Sequence, residues 1–171
     1  PETIADLYSN HDNIVAIKEA SGSISQTLEI KSLCDIKVFS GDDALTLPLM
    51  SVGAEGVVSV ASNIIPSLMI TLVDKFKKES EEAIKLNKKL YPLFKALFLD
   101  TNPVPLKYLI FKLGLASDYS VRLPLVDISS EDILSKLNSI SEKINKKEYT
   151  VNKLSTENKE LYGSVKPTEI S

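Results

Sequence analysis

A lysine closes the apolar run in NIVAIKEASGS, residues 13–23. Ile14, Val15, Ala16 and Ile17 read as a buried strand, and Lys18 follows directly. An ammonium group is costly to bury without a partner. Two readings of Lys18 are therefore open. In the first it sits at a strand end and reaches water, as lysines ordinarily do. In the second it is buried as a neutral amine and forms a Schiff base with a carbonyl compound. Alternation along the strand puts Ala16, Lys18 and Ala20 on one face and Val15, Ile17 and Glu19 on the other. Small alanines beside the amine leave room for a ligand. Spacing alone favours the exposed lysine.

The other candidates are weaker. FSGDD (39–43) offers Asp42 and Asp43 as a metal or acid/base pair, but no histidine or third carboxylate stands at ligand spacing. The simpler reading is that one aspartate caps the next helix while Gly41 permits the turn. GAEGVVSVASN (53–63) bears glycines without the lysine and hydroxyl of a phosphate-binding loop. His11, the single histidine, lies in the polar turn SNHDN and is expected at the surface. Cys34, the single cysteine, reads as a small buried thiol near a helix end. Lys75–Lys78 and Glu79–Glu82 read as a solvated helix face.

The elements that carry these residues alternate. PETIADLYSN (1–10) reads as a helix with Pro1 at its opening and Glu2 in its first turn. Strands are expected over 13–20, 36–41 and 55–62, with continuous apolar runs suited to a parallel sheet. Helices are expected over 23–33, 42–53 and 65–80, the second containing Pro48. Beyond residue 80 the strands stop. An amphipathic helix covers 81–99, with Ile84, Leu90, Leu93 and Leu97 on one stripe and a kink at Pro92. Residues 102–115 read as a helix capped by Asn102, and 129–147 as a helix capped by Ser129 or Ser130. The organisation expected is 1–80 for the strand-bearing part, 81–147 for a helical region and 148–171 for a polar, disordered tail. Three such βα units form either a small open sheet or the last part of a (β/α)8 barrel, which takes about 250 residues when complete.

Composition places the chain among soluble globular proteins. Of 171 residues, 43% are hydrophobic and 25% charged, and the net charge is −3. An acidic balance argues against nucleic acid or an anionic membrane as partner. A lone cysteine forms no disulfide within the chain and fits a reducing, cytoplasmic setting. The longest apolar stretch, NIIPSLMITLV, is too short to cross a bilayer. No signal peptide is expected ahead of the first strand. Without a starting Met, the chain is expected to be part of something larger.

The stretches IVAIKEASG, FSGDD, GAEGVVSVASNIIP, TNPVPLK and RLPL occur in this order. Taken together, residues 1 to 140 resemble the C-terminal half of the dihydrodipicolinate synthase family. These are pyruvate-dependent class I aldolases, a group that includes N-acetylneuraminate lyase. The resemblance implies the last three βα units of a (β/α)8 barrel followed by a three-helix region. It gives Lys18 the Schiff base with the keto carbon of pyruvate. It places a backbone contact to pyruvate at Val58 and puts Gly41 in the lining of the same pocket. It implies an enamine that attacks aspartate 4-semialdehyde, giving 4-hydroxy-tetrahydrodipicolinate on the route to diaminopimelate and lysine. The protonated imine serves as electron sink, so no metal or organic cofactor is implied. A homo-oligomer, dimer or tetramer, is implied for the full-length protein. Asn102, Lys107 and Arg122 are given structural roles.

The family's paired threonines, tyrosine relay and aldehyde-binding arginine match nothing in these residues. The chain alone is therefore expected to lack turnover, to expose strand edges and to self-associate. Two other readings stand beside this one. A sibling aldolase acting on 2-keto-3-deoxy-sugar acids or N-acetylneuraminate would share Lys18. A non-catalytic binding or assembly module could keep the fold alone.

Overall fold

The computed structural model describes residues 1–145, so the tail expected over 148–171 lies outside the described residues. Helix α1 (Glu2–Asn10) opens on Pro1 and leads to strand β1 (Ala16–Glu19). Helix α2 (Ile24–Leu33) is capped by Ser23, whose Oγ accepts the Gln26 amide at 3.1 Å. Strand β2 (Lys37–Ser40) follows, then a 3-10 turn over Asp43–Leu45, helix α3 (Thr46–Ser51) and strand β3 (Gly56–Val57). A second 3-10 turn, Ala61–Asn63, precedes helix α4 (Pro66–Lys78). Helices α5 (Ser80–Ala96), α6 (Val104–Lys112) and α7 (Glu131–Asn145) complete the described chain.

The strands form one parallel sheet in the order β1-β2-β3. Lys18 pairs with Phe39, Glu19 with Ser40, Phe39 with Gly56 and Ser40 with Val57. One sheet face is packed: Val38 and Ser40 are fully buried, and Glu19 is 4% exposed. Ile30 of α2, Leu49 of α3 and Leu72 of α4 belong to the same apolar core as Val38. Leu90, Leu93 and Leu97 of the α5 stripe extend it, with Leu109 of α6 and Leu137 of α7. Trimming one of these leucines to alanine would cost about 2–5 kcal/mol. The hydroxyl of Tyr108 donates to Asn138 Oδ1 at 2.9 Å and ties α6 to α7. Tyr119 stacks between Tyr108 and Phe111, with ring centroids at 5.3 and 5.1 Å, and Lys107 Nζ donates to the Ser120 carbonyl.

Several local expectations are corrected. The helix expected over 42–53 is a 3-10 turn followed by a six-residue helix, which places Pro48 in the first turn of α3. There its missing N–H has no intrahelical partner to lose. The strand expected over 55–62 stops at Val57, because Ser59 turns the chain. Its Oγ accepts the Ser62 amide at 2.8 Å and its carbonyl accepts the Ser62 hydroxyl at 2.9 Å. Ile84 is 48% exposed, while Ala83 takes the buried position one turn-pair before Leu90. Asn102 does not cap α6, which opens one residue later with the Val104 amide bonded to the Thr101 carbonyl at 2.9 Å. Ser130 is the residue before α7, and its Oγ meets the Ile133 amide at 3.5 Å.

Candidate active site

The backbone ladder continues past the strand ends. Gly41 N–H donates to the Glu19 carbonyl and Val58 N–H to the Ser40 carbonyl, both at 2.7 Å. Extending the register by one residue puts Ala20, Gly41 and Val58 in one row. That row lies on the face that carries Lys18, at the C-terminal end of three parallel strands. The three residues singled out in the sequence are thus brought to one corner.

The Lys18 side chain comes close to Gly41 at the end of β2. A Cβ at 41 would lie 2.6 Å from the Ala20 Cβ and 3.0 Å from both the Glu19 carbonyl oxygen and the Lys18 Cε. Only a hydrogen fits. The bare α-carbon of Gly41 lets the Lys18 stem lie against the backbone of the neighbouring strand. Lys18 itself is exposed, as are Ala16, Ala20 and Val58. Around Lys18 no described residues form a layer over this face, whereas at the β3 side Gly56 is buried, facing Val73 of α4. The buried, neutral amine considered for Lys18 therefore needs a further wall that these residues do not supply.

Glu19 and Asp43 hold the corner from behind. Glu19 Oε1 accepts the Ser21 amide at 2.6 Å, and Oε2 accepts the Gln26 side-chain amide at 2.8 Å. Burial pushes this carboxyl up, but the bonds from Ser21 and Gln26 outweigh it and leave it below the usual carboxylate range. Asp42 is the cap that the sequence called for, its Oδ1 accepting the Ala44 amide at 2.8 Å. Asp43 does something else. It is 1% exposed, and its Oδ2 accepts the amides of Val60 and Ala61, each at 3.0 Å. Sequence reasoning missed both residues. For Glu19 a signal existed: it alternates onto the packed face, and Ser23-x-x-Gln26 is a capping-box spacing whose glutamine turns to Glu19. For Asp43 no local signal existed, since its partners come from the loop after the next strand.

His11 is exposed, and Cys34 is half-buried at the end of α2 with its Sγ 3.7 Å from the Ile30 carbonyl. Among the described residues no group of three His, Cys, Asp or Glu side chains is placed to hold a metal ion. An open groove of about 460 Å³ runs between the outer edge of β3 and α4, lined by Phe39, Gly56, Val57, Met69, Ile70 and Val73 among others. Lys18 and Gly41 do not line it. Among the described residues no helix is long and apolar enough to cross a membrane.

A sequence model of the dihydrodipicolinate synthetase family matches residues 1–143. The chain belongs to that family. Among relatives, the 4-hydroxy-tetrahydrodipicolinate synthase of Endomicrobium trichonymphae is 48% identical over 136 residues, covering 78% of this chain and 46% of the relative. The synthase of Persephonella marina is 44% identical over 135 residues, covering 77% and 46%. The solved structure of the synthase from Methylacidiphilum fumariolicum SolV superposes with a TM-score of 0.81 at 40% identity, covering 88% of this chain and 50% of that one. The chain spans about half the length of the curated relatives it matches. The family's solved members are (β/α)8 barrels, and this chain corresponds to their C-terminal half, with three barrel units followed by helices.

Proposed function

We propose that this chain carries the nucleophile side of a dihydrodipicolinate synthase active site. The observation that supports this most is the corner itself. Lys18 lies at the C-terminal end of a parallel strand, where barrel enzymes of this architecture gather their chemistry. Its stem rests against a glycine that admits no side chain, and the Val58 backbone stands just past the end of β3. In this reading the Lys18 amine attacks the keto carbon of pyruvate, and the carbonyl oxygen leaves as water. The protonated imine draws electrons and makes the adjacent methyl group acidic. Loss of a proton there gives an enamine, whose carbon attacks the aldehyde carbon of aspartate 4-semialdehyde. Cyclisation then yields 4-hydroxy-tetrahydrodipicolinate and frees Lys18. Gly41 and the Val58 backbone hold the keto acid.

The imine supplies the electron sink, so the reaction calls on no metal and no organic cofactor. The names of the two relatives favour aspartate 4-semialdehyde over a sugar-acid acceptor. Residues for the second substrate, for proton relay and for the remaining pocket wall come from outside the 145 described here. The complete enzyme acts in lysine and diaminopimelate biosynthesis, in the cytoplasm, as a homo-oligomer.

The test is reductive trapping. The chain is incubated with pyruvate and reduced with borohydride, and the intact mass and modified peptide are read. The same is done with the chain joined to the N-terminal half of the Persephonella marina relative. A pyruvyl adduct on Lys18, lost in Lys18→Ala, is expected with the joined protein. An adduct in neither protein, or one on another lysine, would overturn the assignment.

A further inference from the structure

Asp43 is a buried carboxylate that the imine chemistry above does not use. A helix cap does not require its burial, and Asp42 already provides that cap. Its Oδ2 reaches 17 and 18 positions along the chain to the amides of Val60 and Ala61. Its Oδ1 is buried as well and has no hydrogen-bond partner. Unmatched buried acceptors are rare and collect where a fold gives up stability for another end. Burial pushes this carboxyl up, against the pull of the Ser59 side chain and the Ala61 and Val60 amides.

The geometry shows what the link fixes. Asp43 follows Gly41 by two residues, and Val60 follows Val58 by two. One carboxylate therefore joins the loop leaving β2 to the loop leaving β3, just beyond the row that holds Gly41 and Val58. Below that row the strands are tied by the Val58 amide on the Ser40 carbonyl. Above it, the two Asp43 bonds are the tie. The Val58–Ser59 backbone is held between the two. From this we infer that Asp43 is a positioning residue for the keto-acid site: it sets the height and tilt of the Val58 backbone against Lys18. The inference rests on the proposed function and extends it to a residue that does not touch substrate.

Two variants attack the link from opposite sides. Asp43→Ala removes the acceptor. Val60→Pro removes one donor and suits the local backbone, since Val60 has φ −79°. Asp43→Asn keeps an oxygen that can accept both amides. All are made in the full chain and in the joined protein, and checked by circular dichroism. The readouts are the pyruvate concentration that half-saturates borohydride trapping on Lys18, its limiting extent, and amide exchange at Val60 and Ala61. Asp43→Ala is expected to raise the half-saturating pyruvate about tenfold or more, with the limiting extent kept. Val60→Pro should raise it by about threefold, and Asp43→Asn should stay close to wild type. The two amides should exchange faster in Asp43→Ala.

Unchanged half-saturation in a folded Asp43→Ala would overturn the inference. So would an Asp43→Asn as impaired as Asp43→Ala, because charge rather than the amide link would then be at work. If Asp43→Ala does not fold, Val60→Pro decides, and wild-type half-saturation in it overturns the inference. Absence of trapping in wild type sinks the imine reading instead. Exchange then judges the link alone: unaltered rates in Asp43→Ala overturn it and faster rates uphold it.

Discussion

At position 41 a methyl group would meet the Ala20 Cβ at 2.6 Å and the Lys18 Cε at 3.0 Å. The alanine carbon cannot swing away, since it is fixed to the β1 backbone. Gly41→Ala must therefore part the ends of β1 and β2 or push the Lys18 stem aside. The expected cost is about 1–3 kcal/mol in a urea melt, with slower trapping of pyruvate on Lys18. A melt and a trapping rate equal to wild type would show that the corner has slack. The three residues of this corner were legible because motifs of a known family carried them. Glu19 and Asp43 stand in the same motifs; alternation and the Ser23–Gln26 spacing carried a signal for Glu19, but the work of Asp43 was not legible. A carboxylate in FSGDD looks the same in sequence whether it caps the next turn or reaches into another loop. Only the fold brings Val60 and Ala61 to it.

Between elements, the joint of β1 and α2 depends on one carboxylate. Glu19 receives the Ser21 amide and the Gln26 side chain, while Ser23 caps the helix through the Gln26 backbone. The Glu19 carboxyl titrates below its ordinary 4.5 in the folded chain. A depressed acid stabilises the fold fully above its unfolded value, and that contribution is lost as pH falls through the folded value. Glu19→Gln is therefore expected to cost roughly 1–3 kcal/mol at pH 7. The gap between wild type and variant should close in urea melts taken below about pH 4. Asp43, raised from 3.8, works with the opposite sign: its contribution weakens as pH rises through its folded value. Comparing variant with wild type at each pH cancels that part. A gap that stays constant down to pH 3 would remove Glu19 from this role. The order of strands and helices was readable from apolar runs and turn residues. The short β3 was not, because GVVSV has the apolar look of a full strand. Its end is set by the serine bonds after it and by the distant pull of Asp43.

As a whole, the described sheet has three strands, and β1 and β3 are its two edges. The sheet face is open around Lys18, with Val58 47% exposed, and the groove beside β3 is lined with apolar side chains. Unpaired edges and uncovered apolar surface drive strand addition. The chain alone is expected to sediment as a concentration-dependent oligomer at micromolar levels. Joining it to the matching half of a relative should abolish that in favour of a discrete assembly. A monodisperse monomer at all concentrations would contradict this view of its surface. The register of the three strands has one more consequence. Lys18, Gly41 and Val58 lie in successive βα units, so the corner proposed to form the imine is inherited as one uninterrupted cassette. Exchanging the other half of the barrel would then change the facing wall and the second-substrate residues while leaving the Lys18 corner in place. A family built this way can diversify by recombination at a single seam.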